Sequence, residues 1–165
     1  MIKGMDTEKV LFVNLTEMKN YQGKESVNPG GGKYVEVNNF GHELFNFLDD
    51  DGHCYGYTPA LGTINLKRIS FDINKDLKGK YIENVLVIFT GSRRGSGRLI
   101  VGFYKNAKVY GKLVSDARIS RYLEDEKIHV SYNIICEASD AVLIDYDKRT
   151  KQIPKAIGKH RIGYG

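Results

Sequence analysis

The residues of this sequence that could do chemistry fall into a few short runs. Gly91-Ser92-Arg93-Arg94-Gly95-Ser96-Gly97, with Arg98 directly after it, combines three glycines with three arginines. Glycine lets a backbone approach a ligand closely, and the arginine fork binds phosphate bidentately. The run has no Gly-Lys-Ser/Thr and is followed by a strand-like stretch, so it is not a nucleotide-binding P-loop. It reads as a hairpin tip for backbone phosphates, on one positive face with Lys105 or Lys108. The chain also holds eleven tyrosines, seven phenylalanines and no tryptophan. Tyrosine has an apolar body and a polar tip, which suits stacking on bases. The clusters are Phe45-Asn46-Phe47, Tyr55-Gly56-Tyr57 and Phe103-Tyr104-Lys105-Asn106. Asn14, Asn46 and Asn106 add amides of the kind that read a base edge.

Other constellations are weaker. His42-Glu43 has the parts of a general acid–base pair, and a hydrogen-bonded loop pair is the simpler reading. His53, Cys54, His129 and Cys136 are zinc-ligand types, but their spacing matches no zinc pattern. Asp49-Asp50-Asp51 offers oxygens for a divalent cation, yet followed by Gly52 it reads as an acidic turn. No metal or other cofactor is expected.

These groups need a scaffold. The 165 residues suit one domain, with 41% hydrophobic and 27% charged residues arguing against global disorder. The longest apolar run, Val85–Phe89, is far short of the ~20 residues that cross a bilayer. Two cysteines make no disulfide scaffold, and the expected setting is the cytoplasm, without a membrane partner. Charge is uneven. Residues 1–52 carry five Lys/Arg against nine Asp/Glu, and residues 53–165 carry 20 against 11, within a net charge of +5. A basic half points to a polyanionic partner, nucleic acid first.

Val10–Val13 reads as a buried strand, Lys33–Asn38 as an edge strand and Gly41–Leu48 as either a helical turn or a strand. Asn28–Gly32 is a loop by composition. Asp49–Gly52 is an Asp-Gly turn leading into a strand at His53–Tyr57. Asn84–Thr90 and Arg98–Tyr104 form a hairpin, with Val85, Val87 and Phe89 on one side. Ala107–Val114 and Ile128–Cys136 are further strands. Ser115-Asp116 is suited to cap a helix reaching Glu124. The expected class is β-rich α+β: a curved or barrel-like sheet with a few short helices. Residues 1–165 read as a single domain. The stretch Lys159–Gly165 has no evident closing element, which suggests a module excised from a longer protein.

Several blocks together resemble a bacterial and archaeal domain found at the front of longer defence proteins. They are Leu11-Phe12-Val13-Asn14, Gly30–Gly32, Gly41–Phe47, Tyr55-Gly56-Tyr57, Ile100–Tyr110 and the closing Ile162–Gly165. That domain precedes nuclease or ATPase modules in modification-dependent (type IV) restriction systems. The hairpin Val85–Phe89/Leu99–Phe103 also looks like the PUA-like superfold shared by EVE, YTH and SRA modified-base readers. EVE and YTH domains usually build their base cage with tryptophan, and this chain has none.

Residues and resemblance agree on nucleic acid, and the resemblance implies a non-catalytic module that reads a modified base in double-stranded DNA, with a downstream nuclease or ATPase as partner. Arg93, Arg94, Arg98, Lys105 and Lys108 are expected on the backbone. Asn14, Asn46, Tyr55, Tyr57, Phe103, Tyr104 and Asn106 are expected around a flipped base. Within that pocket Tyr55 or Tyr57 and Tyr104 would stack, and Asn14 or Asn46 would read the base edge. The alternatives are a small metal-dependent nuclease or hydrolase using His42 and Glu43, and a protein-interaction domain.

Overall fold

The apolar runs Val85–Phe89 and Leu99–Phe103 are rich in β-branched and aromatic residues, which suit a pleated, buried surface. In the computed structural model they are the centres of two long strands. The structure describes residues 9–23, 42–58, 63–93, 95–116, 119, 121–123, 126–128, 130–154, 156–157 and 160–161. Its strands are β1 (Lys9–Thr16), β2 (His53–Gly56), β3 (Asn74–Asp76), β4 (Gly79–Arg93), β5 (Gly97–Val114), β6 (Arg121–Leu123), β7 (Glu126–Ile128), β8 (Tyr132–Glu137), β9 (Ala141–Leu143), β10 (Ala156–Ile157) and β11 (His160–Arg161). Short 3-10 turns interrupt them at His42–Phe45, Leu66–Arg68, Ala138–Asp140 and Tyr146–Lys148. Among the described residues there is no α-helix, and no helix is long and apolar enough to cross a membrane.

One mixed sheet dominates, in the order β1-β4-β5-β8-β2, with β3 added to β4 and β9 to β5. β1 runs parallel to β4, from Lys9 opposite Val85 to Thr16 opposite Ser92. The other pairings are antiparallel. As expected, β4 and β5 form a hairpin, and Val85, Val87 and Phe89 are fully buried on one face. The sheet is not closed into a barrel, because β1 and β2 remain at opposite ends of the strand order. The core face is covered instead by the segments after β1 and around the first 3-10 turn, through Met18, Tyr21, Leu44, Phe45 and Phe47. Phe47 packs edge-on against Phe89 and Tyr104, each at 5.4 Å. At Gly102 an added Cβ would lie 2.5 Å from the Val142 carbonyl and 2.7 Å from the Phe47 ring, so the strand needs glycine there.

Several expectations change. β4 continues through Gly91-Ser92-Arg93, and Arg93 pairs with Gly97, so the glycine-rich loop is only a tight turn. Ala107–Val114 is not a separate strand. β5 passes through Asn106, which takes φ 49° at an irregularity in the β4–β5 register, and Asn84 does the same in β4 at φ 56°. Asparagine tolerates this left-handed backbone, so the ladder bends without ending. The expected helix after Ser115-Asp116 is absent among the described residues. Asp116 accepts a bond from Lys78 and its carbonyl closes one turn with the Ile119 amide; β6 and β7 then form a small hairpin. Ile128–Cys136 divides into the end of β7 and β8. His160-Arg161 pairs back on Ala156-Ile157. Gly41–Leu48 resolves as a helical turn over His42–Phe45. Asp49–Gly52 is the expected turn, with Asp51 and Gly52 at φ 52° and 83°. The expected loop Asn28–Gly32 and edge strand Lys33–Asn38 lie outside the described residues.

Candidate nucleic-acid interface

The arginine turn has an internal use. Glu17 follows β1 and is 2% exposed. Arg93 at the end of β4 grips it with Nη2–Oε1 at 2.6 Å and Nε at 3.1 and 3.0 Å from the two oxygens. The Arg93 guanidinium also donates to the Tyr146 carbonyl and lies 3.9 Å from the Tyr146 ring. Arg149, equally buried, places Nη1 3.4 Å from Glu17 Oε1 and donates to the carbonyls of Met18, Lys19 and Ile144. The hydrogen bonds to Glu17 hold the Arg93 pKa above its ordinary value. As placed, Arg93 is engaged by Glu17 and Tyr146. Arg94 lies outside the described residues. Arg98 is half-buried at the start of β5, opposite Ser92.

Lys105 and Lys108 lie toward the other half of β5. At ~3.3 Å per residue, Lys108 is about 30 Å along the strand from Arg98. Lys105 is 3.9 Å from Asp140, which also accepts from Asn106 Nδ2 at 3.1 Å. Lys108 is 3.2 Å from Asp76 and 3.7 Å from the centre of the Tyr81 ring.

The expected base pocket does not assemble. Asn14 accepts a 2.7 Å bond from the Thr90 hydroxyl across β1 and β4. Asn46 is fully buried, and its amide exchanges two bonds with the Tyr57 main chain, at 3.1 and 2.9 Å. Tyr104 is fully buried too and donates its hydroxyl to the Asn46 carbonyl, so as placed it presents no face for stacking. Phe103 points to the opposite side of β5 and is half-buried, between Ile88 of β4 and Val142 of β9 in register. Tyr55 and Tyr57 are both half-buried. Tyr55 packs on Tyr132 at 4.9 Å and Tyr57 on His42 at 5.0 Å. Burial lowers the His42 pKa, and Glu43 is itself buried among core residues. Cys54 and Cys136 face each other across β2 and β8, while His53 lies beside Glu137 at 3.3 Å. Among the described residues no three His, Cys, Asp or Glu side chains are grouped to hold a metal.

A different cation group does assemble. The segment before β3 is tied to β5 by the Ile64 amide donating to the Gly111 carbonyl at 2.8 Å, and by pairing of Thr63 with Lys112. With the β3–β4 turn it encloses a pocket of about 480 Å³. Ile64, Leu66 and Ile73 supply apolar lining, and Lys67, Lys78, Lys80 and Lys112 also line it. Lys78 Nζ sits 2.9 Å from the Tyr132 hydroxyl and 3.3 Å from Asp116, and the Tyr132 bond leads in raising its pKa. A row of tyrosine rings crosses the adjoining sheet: Tyr81–Tyr110 at 5.9 Å, Tyr110–Tyr132 at 6.3 Å and Tyr132–Tyr55 at 4.9 Å. Sequence reasoning passed over this pocket. Its signal is cation density, with Lys67, Arg68, Lys75, Lys78 and Lys80 inside fourteen residues.

Comparison with known proteins gives no match to any family model, curated protein or solved structure.

Proposed function

We propose that this chain is a nucleic-acid-binding module, acting on DNA without catalysis through the lysine-lined pocket beside the β3–β4 turn. The observation that carries the reading is four lysines around one partly apolar pocket of about 480 Å³. That volume lies within the ~300–1,000 Å³ of pockets that hold small ligands. Lysine is a compact, strongly hydrated point charge suited to phosphate contact. Interactions that raise the Lys78 pKa keep that group protonated at neutral pH, so it acts as a fixed cation and not as a base. Ile64, Leu66 and Ile73 offer apolar walls to a base that leaves its stack. In the setting implied by the resemblance to restriction proteins, such binding directs a downstream nuclease or ATPase module to modified DNA.

The test is fluorescence anisotropy with duplexes carrying modified or unmodified cytosine, over a series of salt concentrations. Replacing Lys67, Lys80 and Lys112 together with glutamine should flatten the dependence of log affinity on log salt by roughly 0.9 for each phosphate no longer neutralised. Thermal stability should hardly move, as for ordinary surface substitutions. Unchanged affinity at every salt concentration overturns the site. Tighter binding of the modified duplex supports base reading, and equal binding removes that part of the proposal.

A further inference from the structure

Three large apolar side chains stand out as exposed among the described residues: Phe71 at 91%, Leu77 at 107% and Val142 at 37%. The two most exposed lie within seven residues of one another, in the segment that also carries Lys67, Arg68, Lys75, Lys78 and Lys80. Leu77 occupies the tip of the β3–β4 hairpin, where Asp76 pairs with Gly79. Hairpin tips ordinarily take polar turn residues, so a leucine there is out of pattern. The tip is also held in shape. Asp76 Oδ1 accepts from the Lys78 amide at 2.7 Å, Gly79 takes φ 109°, and Asp76 Oδ2 is held by Lys108 at 3.2 Å. Lys78 is drawn back onto Tyr132 and Asp116, leaving Leu77 projecting.

We propose that Leu77 is a wedge that enters between base pairs from the DNA minor groove while neighbouring lysines hold the flanking phosphates. The inference rests on the nucleic-acid reading above and adds to it a deformation of the duplex. Minor-groove proteins use single apolar side chains of this kind to unstack a base step and kink the helix. A preformed turn suits that use, because little ordering remains to be done on binding. Apolar tips beside lysines also suit an anionic membrane. Yet even a myristoyl chain gives only marginal membrane binding, whereas a wedge needs one side chain.

The experiment uses the full chain and a duplex with 2-aminopurine at its centre and donor and acceptor dyes at its ends. Binding of the parent should raise 2-aminopurine fluorescence and bring the ends together. Leu77→Ala should lose both signals, keep its melting temperature and salt slope, and weaken binding by about ten- to hundredfold, the scale of one apolar side chain. Leu77→Phe should restore them, and Phe71→Ala should leave them in place. Leu77→Ala with both signals intact overturns the wedge and leaves the nucleic-acid reading standing. A parent chain that binds no duplex removes both. Binding to phosphatidylserine vesicles that is lost equally in Leu77→Ala and Phe71→Ala assigns the tip to a membrane and also overturns the wedge.

Discussion

The two ends of the β4–β5 hairpin hold their cations in opposite surroundings. At the turn end, Arg93 and Arg149 converge on Glu17, which is almost wholly buried. At the open end, Lys67, Lys80 and Lys112 line a pocket. By charge alone both ends qualify as phosphate sites. The difference lies in the carboxylate and in the side-chain type. A planar guanidinium with five donors can satisfy one buried carboxylate and several carbonyls together, as Arg149 does with Glu17, Met18, Lys19 and Ile144. Lysine has no such fork, and its strongly hydrated ammonium favours positions near water. Basic composition alone therefore does not separate a buried ion pair from solvent-facing lysines.

The sharpest way to break the comparison is to remove the internal anion or its partner. Arg149→Ala leaves Glu17 and three carbonyls short of donors inside the protein. Loss of one partner from a buried ion pair typically costs about 3–5 kcal/mol, and urea denaturation should read a loss of that size. Arg149→Lys should recover only part of it, because one ammonium cannot reach the same set of acceptors. Duplex affinity per folded molecule should be unchanged. A stable Arg149→Ala protein with weakened DNA binding would make this end the interface and reverse the assignment.

Tyr104 tests the same division among aromatics. It sits with Phe47 and Phe89 in edge-to-face packing, at 5.4 and 4.7 Å, with its hydroxyl bonded inside the core. Tyr104→Ala should cost about 3–5 kcal/mol as a cavity in an aromatic core. Tyr104→Phe should cost about 1–3 kcal/mol by leaving the buried Asn46 carbonyl without that donor. Calorimetry and anisotropy on the same samples separate the roles, since a stacking wall would lose affinity while keeping its melting temperature.

Much of the scaffold was legible because its signals are local. Val85–Phe89 and Leu99–Phe103 are continuous β-branched and aromatic runs, and Asp49–Gly52 is a turn by its own residues. The surroundings of the expected site residues depend on distant partners or on backbone irregularity. Glu17 and Arg93 are 76 residues apart in the chain, so nothing near Arg93 announces its neutralisation. Tyr104 faces the core after register shifts on both of its sides, including one between Phe89 and Thr90, and no period-2 rule predicts them. Asn46 resembles a base-reading amide until Tyr57 supplies both of its partners. The lysine pocket draws on residues 63–80 and on 111–112. Its charge was visible in the sequence, but its enclosure depends on the bond between Ile64 and Gly111.

His42 adds a third treatment of a basic side chain, with the smallest expected effect. Arg149 is buried and Arg93 half-buried, both paired with an anion, while the pocket lysines reach the surface. His42 is half-buried beside Tyr57, and burial lowers its pKa from the ordinary ~6.5 more strongly than the neighbouring Glu43 raises it. The folded chain therefore resists a proton that the unfolded chain accepts. Above about pH 6.5 the imidazole is largely neutral in both states, and its contribution to stability is fully present. As pH falls through 6.5 the unfolded state takes up more protons, so stability declines until the folded pKa is reached. Urea midpoints between pH 7.5 and 5.5 should fall in the parent and fall less in His42→Gln, which has no group to titrate there. Parallel slopes in the two proteins would mean that His42 accepts its proton in place. The half-buried histidine would then join the lysines as a cation the fold tolerates, and neutrality would no longer distinguish the inner face from the rim.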